Sequence, residues 1–199
     1  MTVTRPPIIH PLWLRLMHWA NALAFLLLLT SGWRIYNASP FWPFRIPGDL
    51  TLGGWLGGAL LWHFAAMWLL VGNGILYLTV NLFSGRLMRR FLPVRPLTLL
   101  AECLAALRGK LNHQDPAHYN QVQRMAYLFA MVDLVVLVLS GLVLWKSVQF
   151  SGLRELLGGY ENARRIHFVA MTGGFAFLLV HLLMTLLFPV TLRSMLRGR

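Results

Sequence analysis

Residues 166–188, IHFVAMTGGFAFLLVHLLMTLLF, decide the fold. The run contains no Asp, Glu, Lys or Arg. As a helix it is long enough to cross a hydrocarbon core of ~30 Å. Two histidines interrupt it, His167 and His181, fourteen positions apart. At ~100° per residue that spacing returns to within ~40° of the same face, with an axial rise of ~21 Å. The stripe between them reads His167, Met171, Gly174, Leu178, His181. Ionisable side chains inside a bilayer are costly and mark functional interior faces. A single membrane histidine is explained as well by a hydrogen bond to a neighbouring helix; two on one stripe ask for more.

Three further apolar runs cover about 14–36, 52–83 and 125–145. The chain has 199 residues, 57% apolar and 12% charged, with a mean hydropathy of +0.61. Soluble domains are ~45–50% apolar and ~25% charged. A disordered chain is excluded by the hydrophobicity. The net charge of +12 does not make a nucleic-acid binder, because the charge of an ordinary soluble surface is missing. Eight Trp, twelve Phe and five Tyr suit the two interfaces of a membrane. The expectation is all-α: one integral membrane four-helix bundle over residues 1–199, contacting lipid and no nucleic acid. Cys103 is the single cysteine, so the chain lacks the ligands for a zinc ribbon, an iron–sulfur cluster or a covalently attached c-type haem. The first run continues through Ser31, Gly32 and Trp33 with no small-residue cleavage site after it, and is read as a retained span rather than a signal peptide.

Lys and Arg set orientation. With four spans, the N-terminus, the second connection and the C-terminus share one side. That side holds twelve of the eighteen basic residues, among them Arg15, Arg86, Arg89, Arg90, Arg124 and Arg193. Both termini are therefore expected in the cytoplasm. The other six are Arg34, Arg45, Lys146, Arg154, Arg164 and Arg165. Four of them flank span ends, where anionic groups can bind.

This orientation sorts the histidines. His10, His113 and His118 lie outside the spans. His18 enters the first span from the cytoplasmic side and matches the depth of His181. His63 enters the second from the outer side and matches the depth of His167. Haem iron takes two axial ligands from opposite sides, and four-helix bundles build cofactor sites from facing core side chains. Two bis-histidine b-type haems, one per depth, use all four histidines. Zinc would need its ligands in one tetrahedral cluster, which the axial separation forbids for all four.

The segment Arg15-Leu16-Met17-His18-Trp19, with its apolar run to Thr30-Ser31-Gly32, resembles the first helix of the bacterial cytochrome b-561 family. That family includes the membrane cytochrome b subunits of nickel–iron hydrogenases, formate dehydrogenases and thiosulfate reductases. Residues 119–127, YNQVQRMAY, and Ser140-Gly141 resemble its third helix; His63, His167 and His181 stand where the family carries histidines. The resemblance covers nearly the whole chain. It implies a di-haem, quinone-linked cytochrome whose inner haem pairs His18 with His181 and whose outer haem pairs His63 with His167.

Haem propionates are anionic and attract Arg. Arg164 and Arg165 just before His167, and Arg15 just before His18, are the candidates; snorkelling at span ends is the alternative. Asn120, Gln123 and His113 lie near the cytoplasmic face and offer hydrogen bonds to quinone carbonyls, unless they cap a helix or sit in a solvated loop. Asp133 falls within the third span and is expected to face the interior, in a structural or proton-relay role. The connection 149–162 reads as an interfacial helix. The expected function is electron transfer between the quinone pool and a periplasmic oxidoreductase, by a subunit with no catalytic residues of its own. A self-sufficient superoxide:quinone oxidoreductase of the same fold, or a haem-free transporter with a histidine proton relay, are the alternatives.

Overall fold

The computed structural model describes residues 10–85, 95–107 and 120–198. Its described elements are helical, with no strand among them. Four helices are long and apolar enough to cross a membrane: α1 (Leu12–Ala38), α2 (Leu56–Phe83), α4 (Gln121–Trp145) and α6 (Tyr160–Leu187). The shorter ones are α3 (Pro96–Leu107), α5 (Ser151–Leu156) and α7 (Pro189–Arg197).

The sequence locates the four spans, and the structure moves their ends. α2 starts at Leu56 rather than near 52, because Gly53 and Gly54 take positive φ (106° and 69°) and break the helix there. α6 starts at Tyr160 rather than 166. The polar segment 160–165 continues the helix beyond the apolar run, with Glu161 in the first turn, where a carboxylate complements the helix dipole. The interfacial helix of the third connection is shorter than expected, six residues at α5, closed by the positive-φ Gly158 and Gly159. Pro189 ends the last span and opens α7, since proline is tolerated at a first helical position but not inside a helix.

Contacts divide the chain into two compact units, Met1–Asn81 with Met195–Arg199, and Leu82–Ser194. In the first, the connection after α1 folds on α1 itself. Tyr36 is buried and its hydroxyl donates to the Phe44 carbonyl (3.0 Å). Asn37 holds the Ile46 backbone twice, donating to its carbonyl and accepting from its N–H (2.7 and 2.9 Å). The Leu52 amide then bonds the Thr30 carbonyl (3.1 Å). In the second unit α4 packs on α6 and α3 on the start of α4.

The interior is built largely from small residues. Ala24, Ser31, Ala59, Ala66, Ser140, Ala163, Ala170 and Gly174 are buried, while Leu61, Trp68, Val132, Leu186 and many other large apolar residues face outward. Small interior residues with an apolar exterior are the pattern expected where lipid is the solvent.

Candidate haem sites

Each span histidine occupies a definite turn of its helix. His63 is the eighth residue of α2, and His167 is the eighth of α6. His18 is the seventh residue of α1, and His181 is the seventh from the end of α6. All four rings are half-buried. Among the described residues no three His, Cys, Asp or Glu side chains converge on one point.

His63 and His167 are held in the same way, once in each unit. Ser31 Oγ lies 3.0 Å from His63 Nδ1, and Ser140 Oγ lies 2.9 Å from His167 Nδ1. Each hydroxyl also reaches back to the carbonyl four residues earlier on its own helix, Ser31 to Leu27 (2.5 Å) and Ser140 to Val136 (2.6 Å). A hydroxyl has one proton, and a carbonyl can only accept. The serine therefore donates to its carbonyl and accepts from the ring, which puts the histidine proton on Nδ1. The lone pair is then on Nε2, the form in which a neutral imidazole ligates a metal.

A glycine follows each serine. A Cβ at Gly32 would stand 3.4 Å from His63 Cε1, and one at Gly141 would stand 3.3 Å from His167 Cε1. Each ring thus rests against bare backbone beside its serine. His18 stands edge-on to Trp19 at 5.3 Å, and His181 stacks on Phe177 one turn earlier at 5.9 Å.

Asn73 of α2 lies beside the first turns of α1. Its amide donates to the Met17 carbonyl (2.8 Å) and to Asn21 Oδ1 (2.7 Å). Arg15 points the other way, toward the C-terminus. Its Nε donates to the Met195 carbonyl (3.0 Å), and its Nη2 bonds the Leu196 carbonyl. The guanidinium expected at an inner propionate thus caps the end of α7. Arg164 is paired with Glu161 at 3.4 Å, and Arg165 is exposed.

Asn120 and Gln123 form the capping box of α4: Asn120 Oδ1 accepts from the Gln123 amide (2.7 Å), and Gln123 Oε1 accepts from the Asn120 amide (3.2 Å). Their carbonyl oxygens serve the helix, while their NH2 groups keep donors to offer. His113 lies outside the described residues. Asp133 is buried on α4, where its carboxylate would be 3.4 Å from a Cβ added at Gly173. Beyond Ser31 and Gly32, at the far end of α1, Arg34, Asn37, Arg45 and Trp55 line a cavity of ≈ 400 Å³.

Sequence reasoning missed the histidine-holding role of Ser31 and Ser140, although the repeated Ser-Gly dipeptide was the available signal. It also passed over Asn73, a polar residue in an apolar span, which is a signal of the same kind as a span histidine.

These donors fit haem iron. The His63 and His167 rings are set with Nε2 as a neutral ligand, and Gly32 and Gly141 stand where those rings approach backbone closely. The prokaryotic cytochrome b561 family model matches residues 9–198. A putative protein-methionine-sulfoxide reductase subunit, YedZ1, of Azospira oryzae is 61% identical over 190 residues, covering 96% of each chain. This chain belongs to the prokaryotic cytochrome b561 family and is a multi-pass, haem-b-binding electron-transfer protein of the bacterial inner membrane.

Proposed function

We propose that the chain is a single di-haem membrane domain linking quinone to a periplasmic protein-methionine-sulfoxide reductase. His18 and His181 would hold the inner haem, His63 and His167 the outer one. The observation that carries this reading is the matched pair of Ser–His bonds, Ser31 to His63 and Ser140 to His167. The equal turn positions of the histidines support the pairing. In four spans of alternating direction, the eighth residues of α2 and α6 lie equally far from the outer face. The seventh residue of α1 and the seventh from the end of α6 lie equally far from the inner face. The excess of Lys and Arg on the side of both termini supports a cytoplasmic N- and C-terminus.

Bound haem supplies a one-electron store at each depth. The protein's part is to fix ring orientation, keep each imidazole neutral and surround the irons with apolar residues. Arg164 and Arg165, three and two residues before His167, are placed on sequence to meet outer propionates, and Arg15 has N–H groups beyond its two carbonyl bonds for an inner one. The NH2 groups of Asn120 and Gln123, with His113, would hydrogen-bond quinone carbonyls near the cytoplasmic face.

The partner and the direction rest on the relative's name. Reducing a methionine sulfoxide to the thioether consumes two electrons and two protons and releases water. Oxidising a quinol to a quinone releases two of each, so electrons would run from quinol to the partner. The cavity lined by Arg34 and Arg45 offers positive charge to an acidic partner surface.

The test is a pyridine haemochrome assay on purified protein, with two b haems per chain expected. His18→Ala or His181→Ala should remove one haem and keep the other; His63→Ala or His167→Ala should do the converse. Quinol-driven reduction of methionine sulfoxide should need both this chain and its partner. A missing Soret band, or haem content unaffected by the histidine variants, would overturn the reading.

A further inference from the structure

We infer that Ser31 and Ser140 are positioning residues that set the electron affinity of the outer haem, acting through the Nδ1–H of His63 and His167. This rests on the outer-ligand assignment made above. The two serines make the same set of bonds, although they lie in different units and on helices with no obvious repeat; the His167 ring also has the Leu137 carbonyl beside it. The ring-to-hydroxyl distances are 3.0 and 2.9 Å, and the hydroxyl-to-carbonyl distances are 2.5 and 2.6 Å. Each hydroxyl also lies 3.3 Å from a second carbonyl three residues back, Leu28 or Leu137.

That second and third contact fix the serine rotamer. Ser31 and Ser140 are 0% and 1% exposed, so neither hydroxyl can turn to water instead. The proton of each hydroxyl is committed to its helix, and only its lone pairs face the ring. The serine is therefore a one-way acceptor. An acceptor on Nδ1–H pushes electron density toward Nε2 and raises the basicity of the ligand. A more basic ligand stabilises ferric over ferrous iron. Two such ligands on one iron would lower its electron affinity relative to the same iron without the serines. The adjoining Gly32 and Gly141 let the ring come close enough for the bond to form.

The experiment compares shape-matched variants, Ser31→Thr with Ser31→Val and Ser140→Thr with Ser140→Val, in the full-length haem-loaded protein. Potentiometric titration monitored in the haem α-band reads the ferrous-to-ferric ratio of each haem at fixed ambient potential. Thr keeps the hydroxyl and should leave both haems as in the parent. Val should raise the ratio for the outer haem at each serine, each tenfold rise corresponding to ~59 mV for a one-electron couple, and should raise it further when both are replaced. The inner haem should not move. Thr and Val giving the same outcome at either position, including the same loss of haem, would make the serine a space-filler and overturn the inference. A shift shared equally by both haems would also overturn it. Failure of the underlying assignment looks different: His63→Ala and His167→Ala would then remove different haems, or none.

Discussion

The side chain of Asn73 on α2 donates to the backbone carbonyl of Met17 on α1, at 2.8 Å, one residue before His18. The same amide uses its second proton on Asn21 Oδ1 at 2.7 Å. Both donors are spent on the turn that carries His18, which ties the turn of the proposed inner-haem ligand to its neighbouring helix. Interhelical hydrogen bonds in membranes average ~0.6 kcal/mol each. Asn73→Leu should therefore cost about 1 kcal/mol in thermal unfolding in detergent. The inner haem should be lost at a lower temperature than in the parent while the outer haem holds. Equal sensitivity of both haems would show that the latch acts on the whole fold rather than on His18.

Gly32 and Gly141 stand where an added Cβ crowds a histidine ring, at 3.4 and 3.3 Å from Cε1. Gly141→Ala should push the His167 ring by a few tenths of an ångström, and Gly32→Ala should push His63 by slightly less. Low-spin ferric EPR signals should shift for the outer haem alone, with reduced occupancy in the alanine variants. Gly72 serves as the control, because no atom lies within 4 Å of an added Cβ. Gly72→Ala should leave the spectrum unchanged and add up to ~1 kcal/mol through helix propensity.

Glu102 on α3 accepts from the first two amides of α4, Gln121 (2.6 Å) and Val122 (3.2 Å). A carboxylate here meets unsatisfied donors and the positive end of the helix dipole. Glu102→Ala should destabilise by about 1–2 kcal/mol, on the scale of hydrogen bonds to charged groups. Asn120→Ala should cost about 1 kcal/mol as the loss of an N-cap. Thermal melts of the two variants and their combination measure this. Because both act on the same helix end, the double variant should fall short of the sum.

Arg15 is engaged at the carbonyls of Met195 and Leu196, and the His10 amide meets the Gly198 carbonyl at 3.4 Å. Arg15→Gln should release the last turn of α7. Hydrogen exchange should accelerate at the end of α7, and the proposed inner haem should be held less tightly. A reduced-minus-oxidised spectrum identical to the parent's would show that Arg15 serves only the end of α7 and meets no propionate.

Much of the molecule was legible before any coordinates. Long apolar runs report spans directly, because a backbone in lipid must satisfy its own hydrogen bonds and helices do so locally. The spacing of His167 and His181 needs only helix periodicity. Boundaries were less legible: α6 begins six residues early because Glu161 and its neighbours are good helix formers outside the apolar run, and hydropathy is blind to them. The connection around Tyr36 and Asn37 reads as a Pro-rich loop, yet its bonds to Phe44 and Ile46 are side-chain choices that composition does not encode.

The sequence by itself determined the class of solvent, the number of spans and the four histidines within them. All follow from one-dimensional quantities: run length, residue period and charge count. Only the tertiary structure decided what each polar side chain does. Asn120 and Gln123 turn out to share a capping box, and Arg15 caps a helix at the far end of the chain. Ser31 and Ser140 are ordinary span serines until His63 and His167 arrive from the next spanning helix. A hydrogen bond is directional and reaches only ~3 Å, so its partner is known only once helices distant in sequence have packed.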